Sequence, residues 1–250
     1  MIGGRYEYAK GSNVFFNIQQ NFRFLATDEW YSTWTGLNTS LKQQTGIQYE
    51  AGVKHNWNDV TTVGVTPYWL GLHDEIFFDP KAGGGWGDNS NYGKTRRMGV
   101  DVTQTTNLLK LVEIPVLSRC KLLTNYSFER PQFVGGANDG KFIPLAPQHQ
   151  GGMGIEFEFQ QKYRISFMGR YVGARYAIND TLNETAVLKP YWVLDSKVSY
   201  VRKNFEVFVA LNNMLNKEYF SYATKSATSV TKDYFPAPEF NLTAGMNLKF

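Results

Sequence analysis

Every second residue of Asn241–Phe250 is apolar. Leu242, Ala244, Met246, Leu248 and Phe250 fall on one side, and Asn241, Thr243, Gly245, Asn247 and Lys249 on the other. A strand alternates its side chains, so this segment reads as a ribbon with one oily and one wet surface. Asn204–Asn212 repeats the rhythm, with Phe205, Val207, Val209 and Leu211 against Glu206, Ala210 and Asn212; Phe208 is the exception. Tyr191–Tyr200 sets Trp192, Leu194, Val198 and Tyr200 opposite Asp195, Lys197 and Ser199. A dry core would reject the charge on the wet face. About ten residues tilted by ~45° cross the hydrocarbon of a bilayer, so the pattern predicts transmembrane barrel strands.

Upstream the rhythm recurs. Gly3–Tyr8 reads as a first strand and Val14–Phe24 as a second, with Phe15 misplaced on its wet side. Thr45–Trp57, Val60–Phe77, Tyr92–Thr106, Lys121–Phe133, Gly152–Phe159 and Arg164–Tyr176 follow, making eleven with the last three. Pro67 marks a bulge in the fourth, because proline disrupts a central strand. Connections alternate between short and long. Lys10–Asn13, Asn58-Asp59, Gln160–Tyr163 and Val201–Lys203 are tight, while Leu25–Gln44, Phe78–Ser90, Val134–Gln148, Ala177–Pro190 and Asn213–Glu239 are long. Leu108–Arg119 overruns a short position and is read as strand extended across a bulge. Barrels of the bacterial outer membrane alternate in this way, with tight turns on the periplasmic rim and long loops outside.

No apolar run reaches the length of a membrane helix, and mean hydropathy is −0.37; alternation hides a barrel from such averages. Aromatics make up 16% of the chain, enough to supply interfacial girdles. The net charge of +4 is dispersed and argues against nucleic acid. The single cysteine, Cys120, excludes an internal disulfide. Met1–Tyr6 lacks the architecture of a signal peptide and a strand starts at once, which points to a piece of a longer protein.

The final third resembles the C-terminal half of a TonB-dependent outer-membrane receptor. The residues are Tyr171-Val172-Gly173-Ala174-Arg175-Tyr176, Leu194-Asp195, Val198-Ser199-Tyr200, Leu211-Asn212-Asn213-Met214-Leu215-Asn216-Lys217-Glu218-Tyr219, Pro236-Ala237-Pro238-Glu239 and the terminal Phe250. Tyr49–Lys54, Asp74-Glu75-Ile76, Thr95-Arg96, Gly99-Val100-Asp101, Ile143-Pro144-Leu145 and Pro147-Gln148-His149 resemble its earlier strands. The resemblance implies an all-β fold: an antiparallel transmembrane β-barrel segment of about eleven strands over 1–250, half of a barrel of about 22, without the plug domain. It implies location in the bacterial outer membrane and import of a scarce chelate, a ferric siderophore above all, with cobalamin, haem or glycan as other ligands. The implied partners are outer-membrane lipid, the missing plug and barrel half, and the TonB system acting through that plug. Iron enters only as part of the cargo, and no cofactor is expected. A passive pore, closing alone or by oligomerisation, and a soluble β-rich binding protein are the competing readings.

No catalytic or metal-binding residue is expected. His55, His73 and His149 lack ligand spacing. Glu156 and Glu158 share a face, as a solvated lumen wall would have them, and Gly83–Gly87 reads as a flexible loop rather than a phosphate cradle. Ligand contact is expected from the long loops and upper wet face: Trp30, Tyr31, Trp34, Trp86, Tyr92, Arg96, Tyr222 and Tyr234. Aromatic rings offer stacking surface, and an arginine offers charge-assisted hydrogen bonds to an anion. Any one of them alone is explained by girdle or loop packing, so the group carries the hypothesis.

Overall fold

The computed structural model describes residues 1–248; Lys249 and the terminal Phe250 of the resemblance lie outside them. In chain order the strands are β1 (Ile2–Ala9), β2 (Ser12–Arg23), β3 (Tyr31–Ser32), β4 (Gly36–Leu37), β5 (Gln44–Trp57), β6 (Thr61–Asp79), β7 (Asp88–Asn107) and β8 (Leu117–Val134). They continue as β9 (His149–Phe159), β10 (Tyr163–Val172), β11 (Tyr191–Arg202), β12 (Phe205–Asn212), β13 (Phe220–Lys225), β14 (Lys232–Pro236) and β15 (Asn241–Leu248). Eleven of them form one antiparallel sheet in the order β1-β2-β5-β6-β7-β8-β9-β10-β11-β12-β15. Each strand therefore pairs with its neighbour in the meander. The small hairpins β3–β4 and β13–β14 sit inside the two longest connections. The sheet is open, with β1 and β15 as its edges. No helix among the described residues is long and apolar enough to cross a membrane, which says nothing about strands.

Register assigns the faces. Ile18, Tyr49, Trp69 and Met98 are successive cross-strand partners, as are Val14, Val53, Val65, Val102 and Tyr126. Phe16, Trp192, Leu242 and Met246 on this face are about half exposed or more. The opposite face holds Asn17, Glu50, Gln48, Tyr68 and Arg97, tied by side-chain hydrogen bonds such as Asn17 to Glu50 and Gln19 to Gln48. Oily side chains thus point away from the polar wall. This is the arrangement of a lipid-facing barrel wall and the inverse of a soluble core.

Aromatic residues recur eight positions apart along three strands: Tyr49 and Trp57, Tyr163 and Tyr171, Trp192 and Tyr200. At ~3.4 Å per residue and a tilt of ~40°, that spacing separates two girdles by roughly 20 Å, close to the height of an apolar membrane band.

Two breaks in the alternation have a common cause. The ring of Phe15 covers Gly52 on β5, where an added Cβ would stand 2.6 Å from it. Phe208 covers Gly245 on β15 in the same way, with the Lys197 ammonium 4.3 Å from the ring centre. A glycine leaves a slot on the polar face, and a neighbouring aromatic fills it. Tyr68 similarly crosses Gly99 to donate to Glu129 two strands away, at 2.8 Å.

Other expectations need correction. Pro67 makes no bulge: it pairs with Val100 in a β6–β7 ladder that is continuous from Thr61 to His73, and the β5–β6 ladder is interrupted beside it, between Tyr68 and Val65. The missing N–H faces β5. Leu108–Arg119 is not extended strand: Leu108–Lys110 forms one 3-10 turn, and β8 starts only at Leu117, with its irregularity between Leu117 and Arg119. Within the Gly83–Gly87 loop, Gly83–Gly85 makes a single 3-10 turn interrupted by the left-handed Gly84. The tight turns do close as expected. Asn58 and Asp59 both adopt left-handed φ, as do Gln160 and Gln161, the geometry tight hairpins favour. A hydrogen bond from Asn56, then the charges of Lys10 and Lys110, hold Asp59 below the usual carboxylate range.

Candidate functional site

β6 and β7, at 19 and 20 residues, are the longest strands and rise past the girdle on the long-loop rim. Near their ends the polar wall changes character. Asp74 adopts a left-handed φ of 56°, and the following Glu75 takes the place on the polar face. Its carboxylate accepts from Thr95 Oγ1 at 2.7 Å and from both terminal nitrogens of Arg97, at 2.6 and 3.2 Å. Thr95 in this knot is buried, as is Leu72 on β6.

An aromatic stack stands above it. Phe77 and Tyr92 lie face to face with centroids 3.7 Å apart, and Phe133 meets Tyr92 edge-on at 4.7 Å. The three rings line a cavity of about 670 Å³ together with Lys81, Lys94, Lys225 and one carboxylate, Asp79, while Asn91, Asn138 and Asn179 add amides. That volume suits a drug-sized ligand. Lys225 is engaged by Glu184 at 2.7 Å and by the buried Asp180 at 3.9 Å. Lys81 and Lys94 have no ion-pair partner among the described residues. Burial, then the charges of Glu75 and Asp79, push the Tyr92 hydroxyl well above the ordinary phenol value. It stays a neutral donor. The cavity can hold a ligand with a flat apolar face and negative charge.

The other expected residues fall in three places. Trp34 and Trp86 stack at 6.4 Å with planes 9° apart, and both are largely exposed. Trp30 and Tyr31 sit beside Trp34 in sequence, on the helical turn Thr27–Trp30 and on β3. Asn38 clamps this loop to β7, donating to the Asn89 carbonyl at 2.7 Å. Tyr222 packs on Phe235 and Tyr234 on Phe220 in the β13–β14 hairpin. Only Tyr92 lines the cavity. Arg96 pairs across strands with Gly71 and Gln132, on the face opposite Arg97, and its Nε is buried without a partner. Phe77, Phe133, Lys81 and Lys94 were not anticipated; their one sequence signal is that they flank the loops joining the long strands.

The loops over the cavity are themselves packed. Ala177, Leu188 and Ala223 form a small core with Leu145 against it. Arg175, 4% exposed, donates to the Phe220 and Ser221 carbonyls at 2.8 and 3.0 Å and lies over the Tyr191 ring. Burial lowers its pKa. Asn213 anchors the base of the last long connection: its backbone N–H donates to Asp195 and its amide to the Lys217 and Pro238 carbonyls. Lower on the polar wall, Glu158 accepts from Arg164 at 2.7 Å, and Glu206 pairs with Lys197. Among the described residues, no group of three metal-ligating side chains comes together.

A family model described as TonB dependent receptor-like, beta-barrel, matches residues 2–214. The chain belongs to this family. No curated protein matches the chain. Among solved structures, the ferric-catecholate import receptor Fiu of E. coli K12 is 19% identical, with a TM-score of 0.67, over 99% of this chain and 34% of its own. The ferric citrate transporter FecA gives 14% and 0.75, over 99% and 37%. The copper transporter OprC gives 15% and 0.74, over 99% and 39%. The chain thus spans little more than a third of the length of these proteins.

Proposed function

We propose that this chain is the C-terminal half of the barrel of an outer-membrane receptor that imports a scarce chelate, a ferric siderophore above all. The cavity at the long-loop rim, lined by stacked rings and unpaired lysines, carries the reading. Ferric chelates with catecholate or carboxylate donors present flat and anionic surfaces that such a site complements. Fiu and FecA have ferric cargo and OprC copper, so iron is the first choice and the chelate class is what remains to be measured. Long loops face outward and tight turns the periplasm. The TonB system would act through a plug on companion strands, iron would be cargo, and no chemical step is assigned to the chain.

The sheet edges support the half-barrel reading over a pore closed by this chain alone. Eleven alternating strands leave β1 and β15 running the same way, toward the tight-turn rim. Closure with itself, or with a copy in the same membrane orientation, would need parallel seams. An odd set of companion strands gives antiparallel seams throughout and removes the open edges that lipid rejects. Uptake of labelled ferric catecholate, hydroxamate and citrate, with and without the gene, tests the proposal. Loss of one of these is expected; unchanged uptake of all three would overturn the iron assignment.

A further inference from the structure

The β7–β8 connection, Leu108–Val116, is the one tight-turn position that is long, and it is oily where the others are polar. Leu111, Val112 and Val116 are each 60% exposed or more, and Ile114 39%. The segment leaves and re-enters the sheet on the lipid side. Leu108 continues the outward column of Gln104 and Thr106, and Leu117 pairs with Phe159. That pair lies level with a girdle, because Phe159 pairs with Tyr163 and Tyr163 with Tyr200. The exposed aliphatics therefore start where the lipid-facing wall meets its interface. Their flank carries an exposed lysine, Lys110, and one exposed carboxylate, Glu113, stands between Val112 and Ile114.

We infer that Leu108–Val116 is an interfacial anchor, seated in the periplasmic leaflet of the outer membrane. The inference rests on the membrane reading above. Aliphatic side chains enter the boundary between headgroups and acyl chains, while Lys110 extends its ammonium to lipid phosphate. Continuity with the lipid-facing wall selects lipid as the occupant. The exposed set contains no aromatic ring and no arginine, the anchors that protein interfaces favour.

The test uses outer membranes from cells that make the protein, in a Cys120→Ser background. Val112→Cys, Met153→Cys on the lipid-facing wall and Gln161→Cys in the β9–β10 turn are compared for reaction with a charged maleimide. Membranes are first washed with alkaline carbonate to strip peripheral proteins. Residue 112 is expected to react at least about tenfold more slowly than residue 161, as residue 153 does, and to catch up in detergent. Reaction at 112 as fast as at 161 overturns the anchor. So does protection that carbonate removes, which identifies a protein partner, or equal protection at 161, which leaves the connection no special role. Fast reaction at 153 as well would show that the wall itself is not in lipid, and the anchor falls with the membrane reading.

Discussion

At the scale of single residues, the strictest positions are glycines under rings. A side chain at Gly52 would meet Phe15 at 2.6 Å and Thr66 Oγ1 at 2.9 Å. Gly52→Val should destabilise the barrel by about 1–3 kcal/mol, as overpacking does, and adding Phe15→Ala should recover part of that loss. Urea midpoints of the lipid-embedded protein measure both. Arg175 sets a different constraint, because its buried charge is satisfied by backbone carbonyls that no other side chain reaches in the same way. Arg175→Met should loosen the loops by about 1.5–3 kcal/mol, seen as faster hydrogen exchange over 175–188 and 220–225 with the sheet unchanged. The resemblance motifs gain physical content here. Asn213 and Asn216 take left-handed φ, which asparagine tolerates, and Asp195 accepts the Asn213 N–H.

At the scale of elements, nearly all of the meander could be read from the sequence because its signal is local. Alternation and turn residues belong to each strand alone, so all eleven strands and four of the five tight-turn positions followed; the β7–β8 connection did not. What failed depended on neighbours. Phe15 and Phe208 look like errors until a glycine on the next strand is placed beneath them. Pro67 looked like a bulge because the sequence does not say which neighbour its missing N–H faces. That position supports a further prediction. Pro67→Val restores a donor opposite the gap in the β5–β6 ladder and should stabilise the protein by about 0.5–1.5 kcal/mol, read from the same urea midpoints. The cavity was the least readable feature. Phe77, Tyr92 and Phe133 come from three strands, and a backbone turn at Asp74 decides which side chains reach the polar wall; no local pattern announces either.

At the scale of the whole molecule, the proposed function makes charge and rings at the long-loop rim the determinants of what is recognised. Replacing Lys81 and Lys94 together by glutamate should weaken binding of an anionic ferric chelate by at least about tenfold, since the pair adds attraction of roughly 1–2 kcal/mol in a partly desolvated site. Titration of the receptor with the chelate identified by uptake measures it, and a neutral chelate of the same size should be affected far less. The same-way edges have a consequence for assembly. Raising the number of copies of these eleven strands cannot seal the wall, because each copy brings edges of the same polarity; only neighbours of opposite polarity at both seams can.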